Sequence, residues 1–212
     1  MMRETDNSKI VCVIRSLILG TVSFLVSGVA ACVLILRFEN YIFGTVVAGG
    51  AGGLLLGLFH WRRRKIGRMA IAGLIALTIG ILGGFILLEA LAGGFGLLFP
   101  SAAAKLENTG VADILAVVLM GIVIGIIFGA IVYGRKSICL FSVTCGAVSI
   151  PFGFLVGAMN SGHKIKALLE NILRVFGKID LNFLATIVGF GIGLGLSIGL
   201  YTTSKQKSIE RD

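Results

Sequence analysis

One glycine pattern, repeated three times along the chain, constrains its fold more than any other sequence feature. In each copy a glycine stands at every fourth position, and aromatic and basic residues follow the last glycine. The nine positions are Gly49, Gly53, Gly57, Gly121, Gly125, Gly129, Gly191, Gly195 and Gly199. Successive copies lie 72 and then 70 residues apart. Because self-similarity at a nearly fixed spacing indicates a repeated unit, the pattern predicts units of approximately 10–66, 67–136 and 137–207.

The composition of the chain assigns these units to a membrane. Hydrophobic residues make up 57% of the chain and charged residues only 14%, too few polar side chains to cover a water-soluble domain. Spanning the hydrocarbon core takes about 20 apolar residues as a helix. Six segments qualify, at approximately 10–36, 41–60, 69–92, 114–133, 138–159 and 181–201. We therefore expect an all-α integral membrane protein, one domain over 1–212, whose six transmembrane helices form three tandem hairpins with a pseudo-threefold repeat.

The distribution of charge predicts the orientation of these helices. The side that carries both termini and the 60–68 and 134–137 loops has 13 basic and 4 acidic residues, whereas the other side has 6 of each. Basic loops remain in the cytoplasm, so both termini are expected on the cytoplasmic side of the cell membrane. The net charge of +9 then reflects membrane topology and not nucleic-acid binding.

The densest basic cluster follows the second predicted span. It consists of Arg62, Arg63, Arg64 and Lys65. Each such charge near an anionic membrane surface contributes about 1 kcal/mol to the attraction. We expect this cluster to contact the headgroups of anionic lipids in the bilayer.

The N-terminal segment allows one alternative. Residues 29–32, Val-Ala-Ala-Cys, are similar to a lipoprotein cleavage box and follow a basic and then an apolar stretch, as in a signal peptide. The apolar run continues past Cys32 through Leu36, which is long enough to span. An uncleaved first helix is therefore the favoured interpretation.

The glycine rows predict close packing between helices, as in a glycine zipper. Residues four apart lie on one helix face, and small residues allow backbones to approach closely in lipid. One interpretation is that each row packs against the other helix of its own hairpin. The other is that helices two, four and six meet around a pseudo-threefold axis, or contact a second copy or a partner membrane protein. The odd helices are related more loosely, with Gly20, Gly73 and the pair Cys145-Gly146 at comparable places.

The segment between the fifth and sixth spans predicts an amphipathic helix on the outer membrane surface. Apolar residues recur at helical spacing on one face and charged residues on the other. The apolar positions are Ile165, Leu168, Leu169, Ile172, Leu173 and Phe176, and the charged ones are Lys166, Glu170, Arg174 and Lys178. The helix is interpreted either as a lid resting on lipid or as a docking surface for a partner.

Chemically reactive groups are scarce in the predicted spans. Glu89, near the outer end of the third span, is the candidate ion or proton site, since ionisable residues in spans mark function by default; the alternative is a solvated interfacial carboxylate. His60 is expected at the inner interface. The four cysteines form no CxxC pair and are interpreted as packing residues. The sequence therefore predicts no catalytic residue, metal site or cofactor, and no enzymatic activity.

Two functional hypotheses follow from this balance of much packing surface and little chemistry. The first is a non-enzymatic multi-pass membrane protein whose glycine-rich helices pack against each other or against partner helices, as a scaffold or accessory subunit of a membrane complex. The alternative is a channel or transporter for a small solute or ion, with its path between the three glycine-rich even-numbered helices.

Overall fold

The protein is a bundle of six long helices, seen in a computed structural model that describes residues 2–60, 66–98, 111–160 and 180–209. Each helix contains a stretch long and apolar enough to cross a membrane, which confirms the predicted all-helical multi-pass membrane protein with six spans. The helices are α1 (Met2–Phe38), α2 (Tyr41–Phe59), α3 (Ile66–Leu98), α4 (Val111–Tyr133), α5 (Ile138–Asn160) and α6 (Leu181–Ile209).

Several helices run beyond the predicted spans. The third span was predicted to end at residue 92, whereas α3 ends at Leu98, and α6 continues past Tyr201 through a polar segment to Ile209. Hydrophobicity marks only the part of a helix that lies in lipid. In α6 the backbone hydrogen bonding continues into polar residues, whereas in α3 it continues through residues 93–98, Gly-Gly-Phe-Gly-Leu-Leu, which are apolar but rich in glycine.

The six helices form a closed ring. Each helix packs against its neighbours in sequence, and α6 returns to pack against α1. In that last contact Gly199 lies beside Val13, whereas Leu184 lies beside Gly28, so the two helices are antiparallel. The start of α1 and the end of α6 therefore share one end of the bundle, which we call the terminal end; the opposite end is the distal end.

Each glycine row faces the odd-numbered helix that follows it in the ring. The row on α2 faces α3, the row on α4 faces α5, and the row on α6 faces α1. A Cβ atom at Gly49 would lie 2.5 Å from the carbonyl oxygen of Gly73, and one at Gly199 would lie 2.8 Å from the Cα atom of Val13. Real Cβ atoms do not approach backbone this closely, so these interfaces require glycine.

The same register recurs in all three interfaces. A side chain at the middle glycine of each row would collide with a backbone carbonyl oxygen of the facing helix; the pairs are Gly53 with Met69, Gly125 with Phe141, and Gly195 with Ser16. The first glycine of each row lies one turn earlier on its helix. The carbonyl that it faces belongs to a position that the sequence analysis found at a comparable place in each odd-numbered helix. These pairs are Gly49 with Gly73, Gly121 with Cys145, and Gly191 with Gly20.

The expectation that each row packs within its own hairpin is wrong for all nine glycines. Other glycines make the contacts within the first and last hairpins: Gly44 and Gly52 face α1, and Gly189 and Gly193 face α5. The three rows do not meet on an axis either. Successive residues on a helix are rotated by about 100°, so the residue before each row glycine occupies an adjacent face. Those preceding residues are buried inside the bundle. The interior face of each even-numbered helix therefore carries these residues, while the glycines face the neighbouring helix.

Two tight turns hold successive helices together. Between α1 and α2, Glu39 adopts a φ of 51°, and the Asn40 side chain accepts a hydrogen bond from the Phe43 backbone N–H at 3.0 Å. Between α4 and α5, Gly134 has a φ of 86° and precedes a short 3-10 helix, Arg135–Ser137. The buried Ser137 hydroxyl donates to the carbonyl oxygens of Gly129 and Gly134, at 2.9 and 2.8 Å.

Two predictions lie outside the described residues. They are the basic cluster at 62–65 and the amphipathic helix over 163–179.

Candidate functional site

A cavity of about 460 Å³ lies inside the ring at the distal end. Five helices, α2 to α6, contribute to its wall. Its polar lining consists of Tyr41, Thr45, Asp113, Asn160, Asn182 and Thr186. Its apolar lining consists of Ile81, Ala116, Val117, Met120, Val156 and Phe183. We call it the distal cavity.

A chain of side-chain hydrogen bonds joins three helices at the rim of the distal cavity. The Asn182 side-chain amide on α6 donates to the amide oxygen of Asn160 on α5 at 2.7 Å. Asn160 in turn donates from its Nδ2 to the Oδ2 atom of Asp113 on α4 at 3.1 Å. The chain ends on a carboxylate, which can accept several hydrogen bonds, so Asp113 can still contact a donor or a cation in the cavity.

A second carboxylate, Asp180, organises the distal end of α6. Its Oδ1 atom accepts from the Phe183 backbone N–H at 3.1 Å, which caps the helix start. Its Oδ2 atom accepts from the Tyr41 hydroxyl at 3.0 Å. Asp180 therefore joins the first turn of α6 to the first turn of α2, and positions the Tyr41 ring in the wall of the cavity.

Glycines of α3 make room for the apolar wall of the distal cavity. A Cβ atom at Gly84 would collide with the side chain of Met120, and one at Gly80 with that of Ile124. Both α4 side chains therefore lean towards the backbone of α3. Met120 lines the cavity, and Ile124, one turn further into the membrane, is fully buried.

A second cavity, of about 310 Å³, lies at the terminal end. Its wall comes from α1 and from the three even-numbered helices. The lining residues are Cys12, Arg15, Ser16, Leu19, Phe59, His60, Tyr133, Ile198 and Thr202. We call it the terminal cavity; its lining includes the basic residues Arg15 and His60, whereas the distal cavity has a carboxylate and amides.

His60 is oriented in the terminal cavity by two contacts. Its Nδ1 atom lies 3.0 Å from the carbonyl oxygen of Leu56, and its Nε2 atom lies 3.3 Å from the Ser16 hydroxyl. A carbonyl oxygen only accepts hydrogen bonds, so Nδ1 carries a hydrogen, and in the neutral ring Nε2 accepts from Ser16. His60 thus connects the end of α2 to α1.

A layer of buried apolar side chains separates the two cavities. Its residues on α2, α4 and α6 occupy positions between the two linings, and Phe24 of α1 packs against Gly52 and Gly191 beside them; each is at most 1% exposed. They are Phe24, Leu56, Ile124, Phe128, Phe190 and Leu194. Met120 and Tyr133, which line opposite cavities on α4, are 13 residues apart, about 20 Å along a helix. The two cavities therefore lie at opposite ends of the bundle, with this buried layer between them.

The two ionisable residues singled out in the sequence, Glu89 and His60, differ in exposure and in their distance from the cavities. Glu89, the predicted ion or proton site, is exposed and lines neither cavity. His60 lies at the terminal end, half-buried in a cavity wall.

The polar residues of the distal rim form no sequence motif and were not predicted as site residues. Their available signal was position: Asp113, Asn160 and Asn182 stand in the first or last turn of three spans that end on the same side.

Within the described ranges, no group of three or more His, Cys, Asp or Glu side chains could hold a metal ion. No family model, curated protein or solved structure matches this chain.

Proposed function

We propose that this protein transports a small solute or ion across the cell membrane, by opening its two cavities alternately. One observation carries the proposal. The same three helices, α2, α4 and α6, line cavities at opposite ends of the bundle, and a buried apolar layer lies between them. This arrangement fits a carrier with a closed centre better than an open channel. No enzymatic step and no cofactor is part of the proposal.

The distal cavity supports binding of a solute with a cationic or hydrogen-bond-donating group. Its volume of about 460 Å³ lies in the range of small-molecule sites, roughly 300–1,000 Å³. Asp113 offers a carboxylate at the rim, while Met120 and Val156 offer an apolar wall. A few polar groups beside apolar walls are typical of ligand sites.

The glycine rows support a sliding motion between helices. The three interfaces place glycines against backbone carbonyls of the facing helix, so the two backbones lie in close contact along each row. Domain closure by shear proceeds through small sliding of packed helices. We include in the proposal the three tandem hairpins of 10–66, 67–136 and 137–207 as the moving units, related by a pseudo-threefold repeat; the recurring register of the glycine contacts supports this.

The proposed orientation places the terminal end in the cytoplasm. The excess of basic residues on that side supports it, because basic loops are retained in the cytoplasm. The measurement is labelling of single cysteines in a cysteine-free background. Ser204→Cys at the terminal end should react with an impermeant maleimide only after the cells are opened, whereas Glu39→Cys at the distal end should react on intact cells. The reverse pattern would contradict the orientation.

Solute flux into proteoliposomes tests the transport proposal. A library of small cations and amphiphilic solutes is screened on the wild type, and then on Asp113→Asn and Glu89→Gln. We expect Asp113→Asn to reduce flux at least tenfold and Glu89→Gln to leave it unchanged, since only Asp113 lines a cavity. If Glu89→Gln reduced flux and Asp113→Asn did not, the site would be assigned to Glu89 instead. Absence of flux for every solute would remove the proposal.

A scaffold or accessory subunit is the second candidate. It needs a helix surface open to a partner or to a second copy, and the nine row glycines face helices of the same chain. One observation favours it: a Cβ atom at Gly67 or Gly83 of α3 would meet nothing within 4 Å. Cross-linking in membranes from Gly83→Cys tests this surface. A chain that remains monomeric in mild detergent and captures no partner would count against this function.

A further inference from the structure

Two aromatic rings contribute to the wall of the distal cavity. Tyr41 at the start of α2 and Phe183 in the first turn of α6 both line it. Their ring centroids lie 6.5 Å apart and their planes are inclined by 69°, so the rings are nearly perpendicular. An aromatic ring attracts a cation that lies over its face, within about 6 Å of the centroid. The pair therefore supplies two walls of an aromatic cage for a cation.

One carboxylate outside the cavity lining, that of Asp180, holds both rings. Its Oδ2 atom accepts from the Tyr41 hydroxyl at 3.0 Å, and its Oδ1 atom accepts from the Phe183 backbone N–H at 3.1 Å. The Tyr41 O–H is thereby occupied as a donor, and what the residue offers to a solute is mainly its ring. The two rings are in place before any solute binds.

Asp113 supplies the negative charge of the distal cavity. Among the described residues in the lining, it alone carries a formal charge. Its carboxylate accepts from Asn160 at 3.1 Å, and a carboxylate has room for further contacts. The lining thus favours a solute with a positive charge.

The hydrogen-bonding groups of the distal cavity bond largely to one another or to their own helices. The Thr45 and Thr186 hydroxyls donate to backbone carbonyl oxygens, and Asn182 donates to Asn160. The rest of the wall is apolar, from Ile81, Ala116, Val117, Met120 and Val156. A primary ammonium group has three N–H donors to satisfy, and an unmade hydrogen bond is costly in such a site. A quaternary nitrogen has none, and its alkyl groups pack against the rings and the apolar wall.

We propose that the distal cavity binds an organic cation with a highly alkylated nitrogen, of which quaternary ammonium compounds are the preferred class. The alkylated nitrogen lies against the rings of Tyr41 and Phe183, and Asp113 balances its charge. The volume of about 460 Å³ is far larger than a bare metal ion requires. The assignment rests on the proposed transport function, in which the distal cavity holds the solute, and it narrows the class of that solute.

Isothermal titration of the purified protein in detergent, at constant ionic strength, tests the site without requiring flux. Methylammonium, trimethylammonium and tetramethylammonium are compared, and affinity should rise along this series by about tenfold. Choline should bind about tenfold more tightly than the neutral alcohol in which a tert-butyl group replaces its trimethylammonium group. Both comparisons use the wild type and so remain valid if a variant fails to fold. Tighter binding of methylammonium, or equal binding of the neutral alcohol, would overturn the proposal.

Variants then locate the site. Tyr41→Leu/Phe183→Leu removes both rings and should weaken tetramethylammonium binding about tenfold; Asp113→Asn should weaken it by a similar factor. The matched control is Phe38→Leu/Phe43→Leu. It removes a similar pair, with centroids 5.8 Å apart and planes at 77°, from exposed positions outside the cavity lining, and should bind like the wild type. Equal losses in the two double variants would overturn the assignment to these rings.

The titration also separates this site from the transport function. Tight binding of tetramethylammonium without flux of any solute would leave the cation site in place and remove the transport function. Flux of another class of solute, with no preference for the methylated cations in the titration, would overturn the cation site and leave transport intact.

Discussion

Asn160 donates a hydrogen bond from its side-chain amide to the Asp113 carboxylate, 3.1 Å away, and so joins the end of α5 to the start of α4. The same residue accepts from Asn182 of α6 at 2.7 Å. Three helices from two of the proposed hairpins therefore meet through one amide at the rim of the distal cavity. Any motion that opens this cavity wider must break or rearrange that link.

We expect Asn160→Ala to alter transport more than stability. The bonds lie at an exposed rim, so their loss should cost less than about 1.5 kcal/mol of unfolding free energy, the upper end for a typical hydrogen bond. Because the Asp113 carboxylate loses its partner and the helices lose a link, solute flux should change severalfold. Flux and detergent unfolding of Asn160→Ala are compared with Glu89→Gln. Unchanged flux would show that the rim link does not limit transport.

Substitutions at the glycine rows should separate tight interfaces from open surfaces. Gly53→Ala and Gly195→Ala place a methyl group against a backbone carbonyl, and overpacking of this kind costs about 1–3 kcal/mol. Gly83→Ala places the methyl in open space, where alanine favours the helix by roughly 0.5–1 kcal/mol. The first two should lower the melting temperature and the third should raise it or leave it unchanged. Equal effects at all three positions would contradict the packing described.

The turn between α4 and α5 offers a test with a matched serine. Ser137 is buried and its hydroxyl donates to two carbonyl oxygens. Both carbonyls keep a backbone N–H partner when the hydroxyl is removed, so Ser137→Ala should cost about 0.5–1.5 kcal/mol, the usual contribution of a hydrogen bond. Ser142, whose hydroxyl contacts Cys139 on the exposed side of α5, is the control, and Ser142→Ala should change unfolding by less than 0.5 kcal/mol on the usual scale for surface sites (about ±0.5). A Ser137→Ala protein as stable as the control would contradict the anchoring role.

Removing a side chain from the apolar layer should open a leak. Phe128 is fully buried between the cavities, whereas Phe154 on α5 is 61% exposed. Phe128→Ala deletes volume from the barrier and should allow water and small ions to pass in proteoliposomes, with a loss of about 3–5 kcal/mol in stability if the site does not collapse. Phe154→Ala is the control for leak. If Phe128→Ala remains folded and impermeable, the layer is not the barrier.

The number and position of the spans could be predicted because a membrane demands long apolar helices whatever their neighbours. The helix against which each glycine row packs could not be predicted in the same way. A glycine surface fits any closely approaching backbone, and nothing at Gly53 or Gly125 specifies which helix supplies it. The only hint was the correspondence of Gly20, Gly73 and the pair Cys145-Gly146 in the odd helices, since the rows contact the carbonyls of Gly20, Gly73 and Cys145.

The distal cavity could not be predicted from the sequence either. Asp113 and Glu89 are both single carboxylates near the distal end of a span, and one-dimensional position does not distinguish them. What separates them is the arrangement of neighbours: α5 and α6 bring Asn160 and Asn182 to Asp113, while Glu89 remains exposed. Such a site depends on five helices at once, and periodicity within one helix does not report it.

The contact between α6 and α1 joins the first of the six helices to be synthesised to the last. A ribosome releases helices in chain order, so the surface around Gly20 enters the bilayer well before Gly191 and Gly195 have been made. Until then this surface faces lipid or the insertion machinery. A chain that stalls after α5 would leave it uncovered, within reach of the proteases that remove unfinished membrane proteins. The ring can therefore close only after α6 has been synthesised and inserted.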